Sequence, residues 1–162
     1  MIRRPIAIAL CALAAACGDA GKPAAPPPAA AAPPAPYDAV GEAAASYQVR
    51  AAFAPGAVAR GAKATLTIEV AMTRPDVHVQ QEFPLKVTLA PSPGVAIPKP
   101  ALGHADSVDP AAKGRRWDVP ATAGAAGAQH VEAALRFAIC KETEPAWCVT
   151  RNETVTAALE VR

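Results

Sequence analysis

The sequence lacks several features that would point directly to a function. The apolar run from Pro5 to Ala16 falls short of the about 20 residues that a helix needs to cross a bilayer. No Gly-x-Ser-x-Gly motif occurs, and the acidic residues form no recognisable pair with a histidine, which argues against a hydrolase. No internal repeat is visible.

A strong charge of either sign is also missing. The whole chain carries a formal charge of +2 at pH 7, and Arg3 and Arg4 supply two of its 16 basic residues against 14 acidic ones. Without those two arginines the charges balance. The sequence therefore predicts no basic surface for nucleic acid.

Metal-ligand spacing is absent as well. The histidines are scattered at intervals of 26 residues: His78, His104 and His130. Structural zinc usually takes four ligands, and Cys140 and Cys148 would supply only two. The sequence predicts neither a metal site nor another cofactor.

The N-terminus has the pattern of an export signal. Arg3 and Arg4 precede about a dozen apolar residues, as in a secretory signal peptide. The segment ending at Cys17, Leu-Ala-Ala-Ala-Cys, resembles the lipobox of bacterial lipoproteins; an ordinary cleavage site is the alternative. We therefore expect residues 1–16 to be removed and Cys17 to be lipidated. The domain would then be anchored in the bacterial cell envelope, facing the periplasm.

Two further observations refine this expectation. Leu10 is too large for the position before a lipidated cysteine, which argues against Cys11 as the modified residue. In well-studied double-membraned bacteria an Asp directly after that cysteine favours retention in the inner membrane. Gly18 occupies the position here and Asp19 comes one place later, so we expect the outer membrane rather than the inner one.

Residues 17–45 are dominated by Ala and Pro, with the runs Pro26-Pro27-Pro28 and Pro33-Pro34-Ala35-Pro36. Such a stretch has too few large apolar residues to bury a core. It should stay extended, partly as polyproline II. We expect a disordered linker that holds the following domain away from the membrane.

Residues 46–162 carry short apolar alternations with a period of two, interrupted by Pro and Gly. This pattern is typical of strands with one buried face. The predicted strands are Ser46–Phe53, Ala62–Met72, Phe83–Ala90, Val95–Ile97, Arg115–Val119, Gln129–Cys140, Trp147–Thr150 and Glu153–Arg162. Seven or eight strands of this length predict an all-β, immunoglobulin-like antiparallel sandwich. The least regular part, Pro100–Ala128, is predicted to be a long loop with one short strand around Trp117.

Cys140 ends one predicted strand and Cys148 begins the next, with seven residues between them. Across an antiparallel hairpin their Cα atoms would lie about 4.5–5.5 Å apart, within the range that a disulfide needs. An oxidising compartment would favour their pairing. The bond could be structural or redox-active, and Lys141 is weak evidence for a lowered pKa of Cys140. From the residues alone a structural bond is favoured.

Two segments resemble the N-terminal periplasmic domain of the thiol:disulfide interchange protein DsbD and its lipoprotein-like relatives. One is Phe137-Ala138-Ile139-Cys140, followed by Cys148 and the alternating strand Thr154–Val161. The other is His78–Val87, similar to a histidine, hydrophobic, Asn, x, x, aromatic, Pro segment. The resemblance covers roughly residues 46–162. The chain departs from the family in Ile139, in the loop of seven residues, and in having no assignable aromatic cap, a role for which Trp147 is the candidate.

This resemblance implies an immunoglobulin-like fold and a function. In the family, the cysteine pair receives electrons from a partner thiol domain and passes them to periplasmic disulfide proteins. Here that role would fall to Cys140 and Cys148, with a separate thioredoxin-like or membrane redox protein as the partner. The alternative is a binding or scaffold lipoprotein in which the disulfide only holds the last hairpin together.

Overall fold

The computed structural model describes residues 37–162. The predicted signal peptide 1–16, Cys17 and most of the predicted linker lie outside the described residues. The described part contains one α-helix, α1 (Ala39–Ala45), and a short 3-10 helix at His104–Asp106. Its strands are β1 (Tyr47–Ala54), β2 (Ala57–Val58), β3 (Lys63–Met72), β4 (Val77–Val79), β5 (Lys86–Pro91), β6 (Val95–Ala96), β7 (Ala101–Leu102), β8 (Arg115–Ala123), β9 (Gly127–Lys141) and β10 (Trp147–Val161).

The strands form two sheets. The first has the order β1-β3-β8-β6, and the second has the order β2-β10-β9-β5-β7 with β4 also paired to β9. All pairs are antiparallel except β2 with β10. The prediction of an all-β sandwich is confirmed. The immunoglobulin-like subtype stays a prediction.

Alternation along the strands builds the core. In β3 and β8 every second residue is buried, and the two strands pair from Lys63 with Thr122 to Val70 with Arg115. Both sheets contribute to one apolar cluster. Its largest fully buried side chains are Trp117, Phe137, Leu66, Ile68, Ile139 and Leu159.

One expectation about a segment was wrong, and a second gave a strand that is too short. Residues 39–45 of the predicted extended linker form α1, because the Asp38 side chain caps the helix by accepting the Gly41 N–H at 2.9 Å and Ala favours helix. Ala43 of this helix is buried. In the predicted loop Pro100–Ala128, the short strand around Trp117 is the nine-residue β8, which lies inside the first sheet.

The last two predicted strands are a single one. β10 runs without interruption from Trp147 to Val161 and pairs with β9 along its whole length. Among the described residues, no helix has both the length and the apolar character that crossing a bilayer requires.

Candidate functional site

The β9–β10 hairpin brings the two domain cysteines together. Cys140 and Cys148 are direct partners in the ladder, with Cα atoms 4.1 Å apart, and they form a disulfide. The predicted pairing across a hairpin is thereby confirmed. This separation is slightly shorter than the about 4.5 Å of a non-hydrogen-bonded pair, the arrangement in which the side chains of opposite residues approach most closely.

The two cysteines differ in exposure. Cys140 is only 2% exposed, whereas Cys148 is an exposed residue at the end of the hairpin. An open depression of about 430 Å³ lies over the bond and is bordered by His78, Gln80 and Glu142. One sulfur-bearing residue is therefore accessible from solvent and the other is covered.

The covering side is built by β4. His78 is the register partner of Cys140 on the strand next to β9, so its imidazole lies on the same face as the disulfide. The His78 Nε2 lies 3.8 Å from a Glu142 carboxylate oxygen. His78, to which the sequence analysis assigned no role, thus flanks the buried cysteine. Its place in the conspicuous segment His78–Val87 was the signal for it.

Between β4 and β5 the chain leaves the ladder. Residues 80–85 lie opposite only Phe137 and Ala138 of β9. The Gln80 N–H donates to the Ala138 carbonyl at 2.9 Å, and the Arg136 guanidinium lies 5.7 Å above the Phe83 ring. The two segments that carry the family resemblance therefore pack against each other. Phe83, the aromatic residue of the resembling segment His78–Val87, lies on this side of the sheet.

His104 and Arg115 form a second contact with the segment 80–85. The His104 Nε2 lies 2.9 Å from the Phe83 carbonyl, which makes this nitrogen the donor. Its Nδ1 then accepts from the Arg115 Nε at 3.3 Å. Arg115 is only 2% exposed, and burial lowers the pKa of its guanidinium. The irregular region 100–114 thus supports residues 80–85.

The opposite face of the hairpin carries a polar cluster centred on Glu42 of α1. Its carboxylate accepts from the Trp147 indole N–H at 3.1 Å, from the Lys141 ammonium at 3.1 Å and from Arg74 at 2.5 Å. It also accepts from the Tyr37 hydroxyl. The hydrogen bond from Tyr37, followed by those from Lys141, Arg74 and Trp147, lowers the pKa of Glu42 to about 2.

This cluster answers two questions about the site. The Trp147 indole N–H donates to Glu42, and side-chain alternation along β10 directs this ring to the face opposite to Cys148, although Trp147 also borders the depression. Lys141 is 8% exposed and its ammonium binds Glu42, so it lies on the wrong face to act on Cys140. Glu42 itself was missed, because it falls in a segment with the composition of a linker.

Residues 37–162 contain no group of three or more His, Cys, Asp or Glu side chains arranged to hold a metal ion. His78 and His104 have the contacts given above, and His130 is exposed on β9. A larger groove of about 600 Å³ lies between the end of β3 and residues 108–116, away from the disulfide. The cysteine pair is thus the group with evident chemistry in the described part of the chain.

Comparison with known protein families, with curated proteins and with solved structures gives no match.

Proposed function

We propose that this chain is a lipid-anchored envelope protein whose domain, similar to the N-terminal domain of DsbD, carries electrons between proteins through Cys140 and Cys148. The observation that carries the proposal is the unequal exposure of the two cysteines. A bond that only staples a hairpin does not require one covered and one exposed cysteine. Such a difference suits exchange with a protein partner, because unequal access directs the attack to one of the two residues.

The reaction has two halves. A thiolate of a dithiol partner attacks the Cys148 Sγ, the Sγ–Sγ bond breaks, and Cys140 leaves as a thiolate, which gives a mixed disulfide at Cys148. The second thiolate of the partner then attacks the partner's own sulfur in that bond. The partner is released as a disulfide, and this domain holds two thiols, having gained two electrons and, from solvent, two protons.

In the second half the reduced domain passes its two electrons to a target disulfide. The Cys148 thiolate attacks a target disulfide and forms a mixed disulfide with one target sulfur, while the other leaves as a thiolate. The Cys140 thiolate then attacks the Cys148 Sγ, closes the intramolecular bond and releases the second target thiolate. His78, the neighbour of Cys140 on the same face, is the side chain best situated to interact with the buried thiolate in both halves.

The position of the two segments that resemble the family supports the proposal. His78–Val87 and Phe137–Cys140 are far apart in sequence but adjacent in space. Lipidation of Cys17, removal of residues 1–16 and an outer-membrane location belong to the same proposal. So does a separate thioredoxin-like or membrane redox partner.

The second candidate is a scaffold lipoprotein with a purely structural disulfide. The Glu42 cluster favours it, since the hairpin is firmly attached to α1 behind the bond. Both candidates predict that the Cys140→Ser/Cys148→Ser variant loses about 2–3 kcal/mol of stability, because the closed loop is short. Stability alone therefore does not separate them.

The reduction potential of the disulfide distinguishes the two candidates. The full chain is equilibrated with glutathione redox buffers, and the fraction of free thiols is measured by alkylation. A carrier should have a potential above about −300 mV, and a value below that marks a structural bond. A cell lacking the gene should also show a defect in periplasmic disulfide reduction, which the double cysteine variant should fail to correct.

A further inference from the structure

We propose that the open edge of β10, from Cys148 to Ala158, receives an extended cysteine-bearing segment of the thiol partner as an added antiparallel strand. This inference rests on the proposed function and specifies how the partner is recognised. The first supporting observation is the direction of the backbone N–H and C=O groups around the disulfide.

The direction of the backbone groups follows from the ladder. In a non-hydrogen-bonded pair such as Cys140 with Cys148, the N–H and C=O of each residue point away from the other strand. The C-terminal end of β10 shows the same direction for even-numbered residues. There the N–H groups of Glu160 and Arg162 donate to the carbonyls of Gly56 and Val58, on the side away from β9, each at 2.9 Å. Even-numbered residues of β10 thus turn their backbone groups away from β9.

Between Cys148 and Ala158 these groups have no partner among residues 37–162. β2 pairs only with Glu160 and Val161, and no hydrogen bond within residues 37–162 involves the backbone of the even-numbered residues before them. Their side chains are exposed. They are Cys148, Thr150, Asn152, Thr154, Thr156 and Ala158.

This edge lacks most of the usual protection. Edge strands are normally blunted by proline, by charged side chains or by bulges, because open N–H and C=O groups invite another strand. Here the even-numbered residues from Thr150 to Thr156 are uncharged and mostly β-branched, and β10 pairs with β9 in unbroken register. The charged residues Arg151 and Glu153 lie on the inward face, where they bind Tyr47 of β1. An edge of about 33 Å, at about 3.3 Å per residue, with unpaired backbone groups is suited to strand addition.

The chemistry of exchange selects the same edge. A thiolate must approach the Cys148 Sγ in line with the bond to Cys140. Since that bond runs across the strands from β9 to β10, the line of approach crosses the open edge. The opposite approach, to Cys140, meets His78 on β4. A strand paired with β10 would place the side chain opposite Cys148 on the same face, at a Cα separation of about 5.5 Å.

A cysteine at that position would extend the row His78, Cys140, Cys148 by one strand. The attacking sulfur would then be held in line by backbone hydrogen bonds, whatever the neighbouring side chains. This explains how one carrier could accept a partner with little sequence specificity. A second copy of this chain could bind to this edge instead, or the edge could stay free. The experiment below distinguishes both outcomes from the proposal.

The test compares two variants at one edge position of the full chain. Asn152→Pro removes an outward N–H and leaves the β9 ladder intact, whereas Asn152→Ala keeps the N–H and removes only the side chain. The probe is a short synthetic peptide of alternating Thr and Val with one central Cys. Glutathione, which is too small to pair as a strand, measures the intrinsic reactivity of the disulfide in each variant.

We expect the ratio of the peptide to the glutathione exchange rate to fall about tenfold in Asn152→Pro, as the loss of about one or two hydrogen bonds implies. In Asn152→Ala the ratio should stay unchanged. A peptide N-methylated on its pairing amides should behave with the wild-type chain as the unmodified peptide does with Asn152→Pro. An equal ratio in both variants would overturn the proposal.

A binding measurement separates this proposal from the proposed function. A peptide with Ser in place of Cys should protect the amides of Thr150 and Thr154 from hydrogen exchange in the wild-type chain but not in Asn152→Pro. If glutathione fails to exchange and protection is seen, the carrier function falls and the edge stands. Absence of protection overturns the edge proposal, as does a dimer that forms through β10 and excludes the peptide.

Discussion

The two faces of the β9–β10 hairpin end are built from neighbouring residues and have opposite properties. On one face the Glu42 carboxylate collects hydrogen bonds from Lys141 and Trp147. On the other face Cys140 and Cys148 form their bond beside an open depression. Each cysteine is next in sequence to a member of the Glu42 cluster.

The difference shows how strand alternation separates support from chemistry. Successive side chains point to opposite faces, so the hairpin can be fixed to α1 and the core without covering Cys148. The face that carries the Glu42 cluster, here called the support face, also holds Tyr47, whose ring meets Phe137 edge to face at 5.4 Å. Changes on the support face should therefore alter stability and leave the intrinsic reactivity of the disulfide unchanged.

The largest loss of stability is expected from Phe137→Ala. This side chain is fully buried beneath the hairpin end, and its removal should cost about 3–5 kcal/mol of unfolding free energy. Chemical denaturation measures that loss. The rate of glutathione exchange, measured where the variant is still folded, should match that of the wild type. Phe137→Leu, which leaves a smaller cavity, should lose less stability, and a slower or faster exchange in either variant would contradict the separation of faces.

A smaller effect is expected from Glu42→Gln. The pKa of Glu42 is lowered from 4.5 to about 2 by the bond from Tyr37 and by Lys141, Arg74 and Trp147. A lowered pKa in the folded state means that ionised Glu42 stabilises the fold above about pH 4.5, and that this contribution is lost as the pH falls toward about 2. Glu42→Gln should therefore melt at a lower temperature at pH 7.

The difference between the two melting temperatures should shrink steadily as the pH falls from 4.5 to 2. Thermal unfolding by circular dichroism across this range measures it. Glu144→Gln, at an exposed position of the hairpin loop, is the matched control and should follow the wild type. A constant difference between wild type and Glu42→Gln at every pH would show that the carboxylate charge does not hold α1 to the hairpin.

Much of the fold could be predicted because its strands are long and alternate regularly. β3 and β9 were found within a few residues of their bounds for this reason. β2, β4 and β7 span only two or three residues, too few to show a period. The start of β8 was predicted correctly, but its end was placed at Val119 because Pro120 obscures an alternation that pairing with β3 nevertheless maintains.

The candidate site divides in the same way. The pairing of Cys140 with Cys148 follows from a hairpin, which is a local structure. The contact of Trp147 with Glu42 joins residues 105 positions apart, and that of His78 with Cys140 depends on a three-residue strand. Neither leaves a periodic signal, because both depend on how the sheets and α1 pack. The sequence therefore identified the disulfide pair but not the residues that surround its two cysteines unequally.

That inequality leads to the smallest predicted effect, from His78→Ala. In the reduced wild-type chain Cys148 should react quickly with iodoacetamide and Cys140 slowly, in line with their exposure. Removing the imidazole opens the side of Cys140 next to β4, so its alkylation should become severalfold faster while Cys148 is unchanged. His130→Ala, at an exposed position farther along β9, is the control. Mass spectrometry of the alkylated peptides reads both rates in one sample. Equal rates for the two cysteines in the wild type would mean that the asymmetry is lost on reduction, and attack at Cys148 alone would then lose its basis.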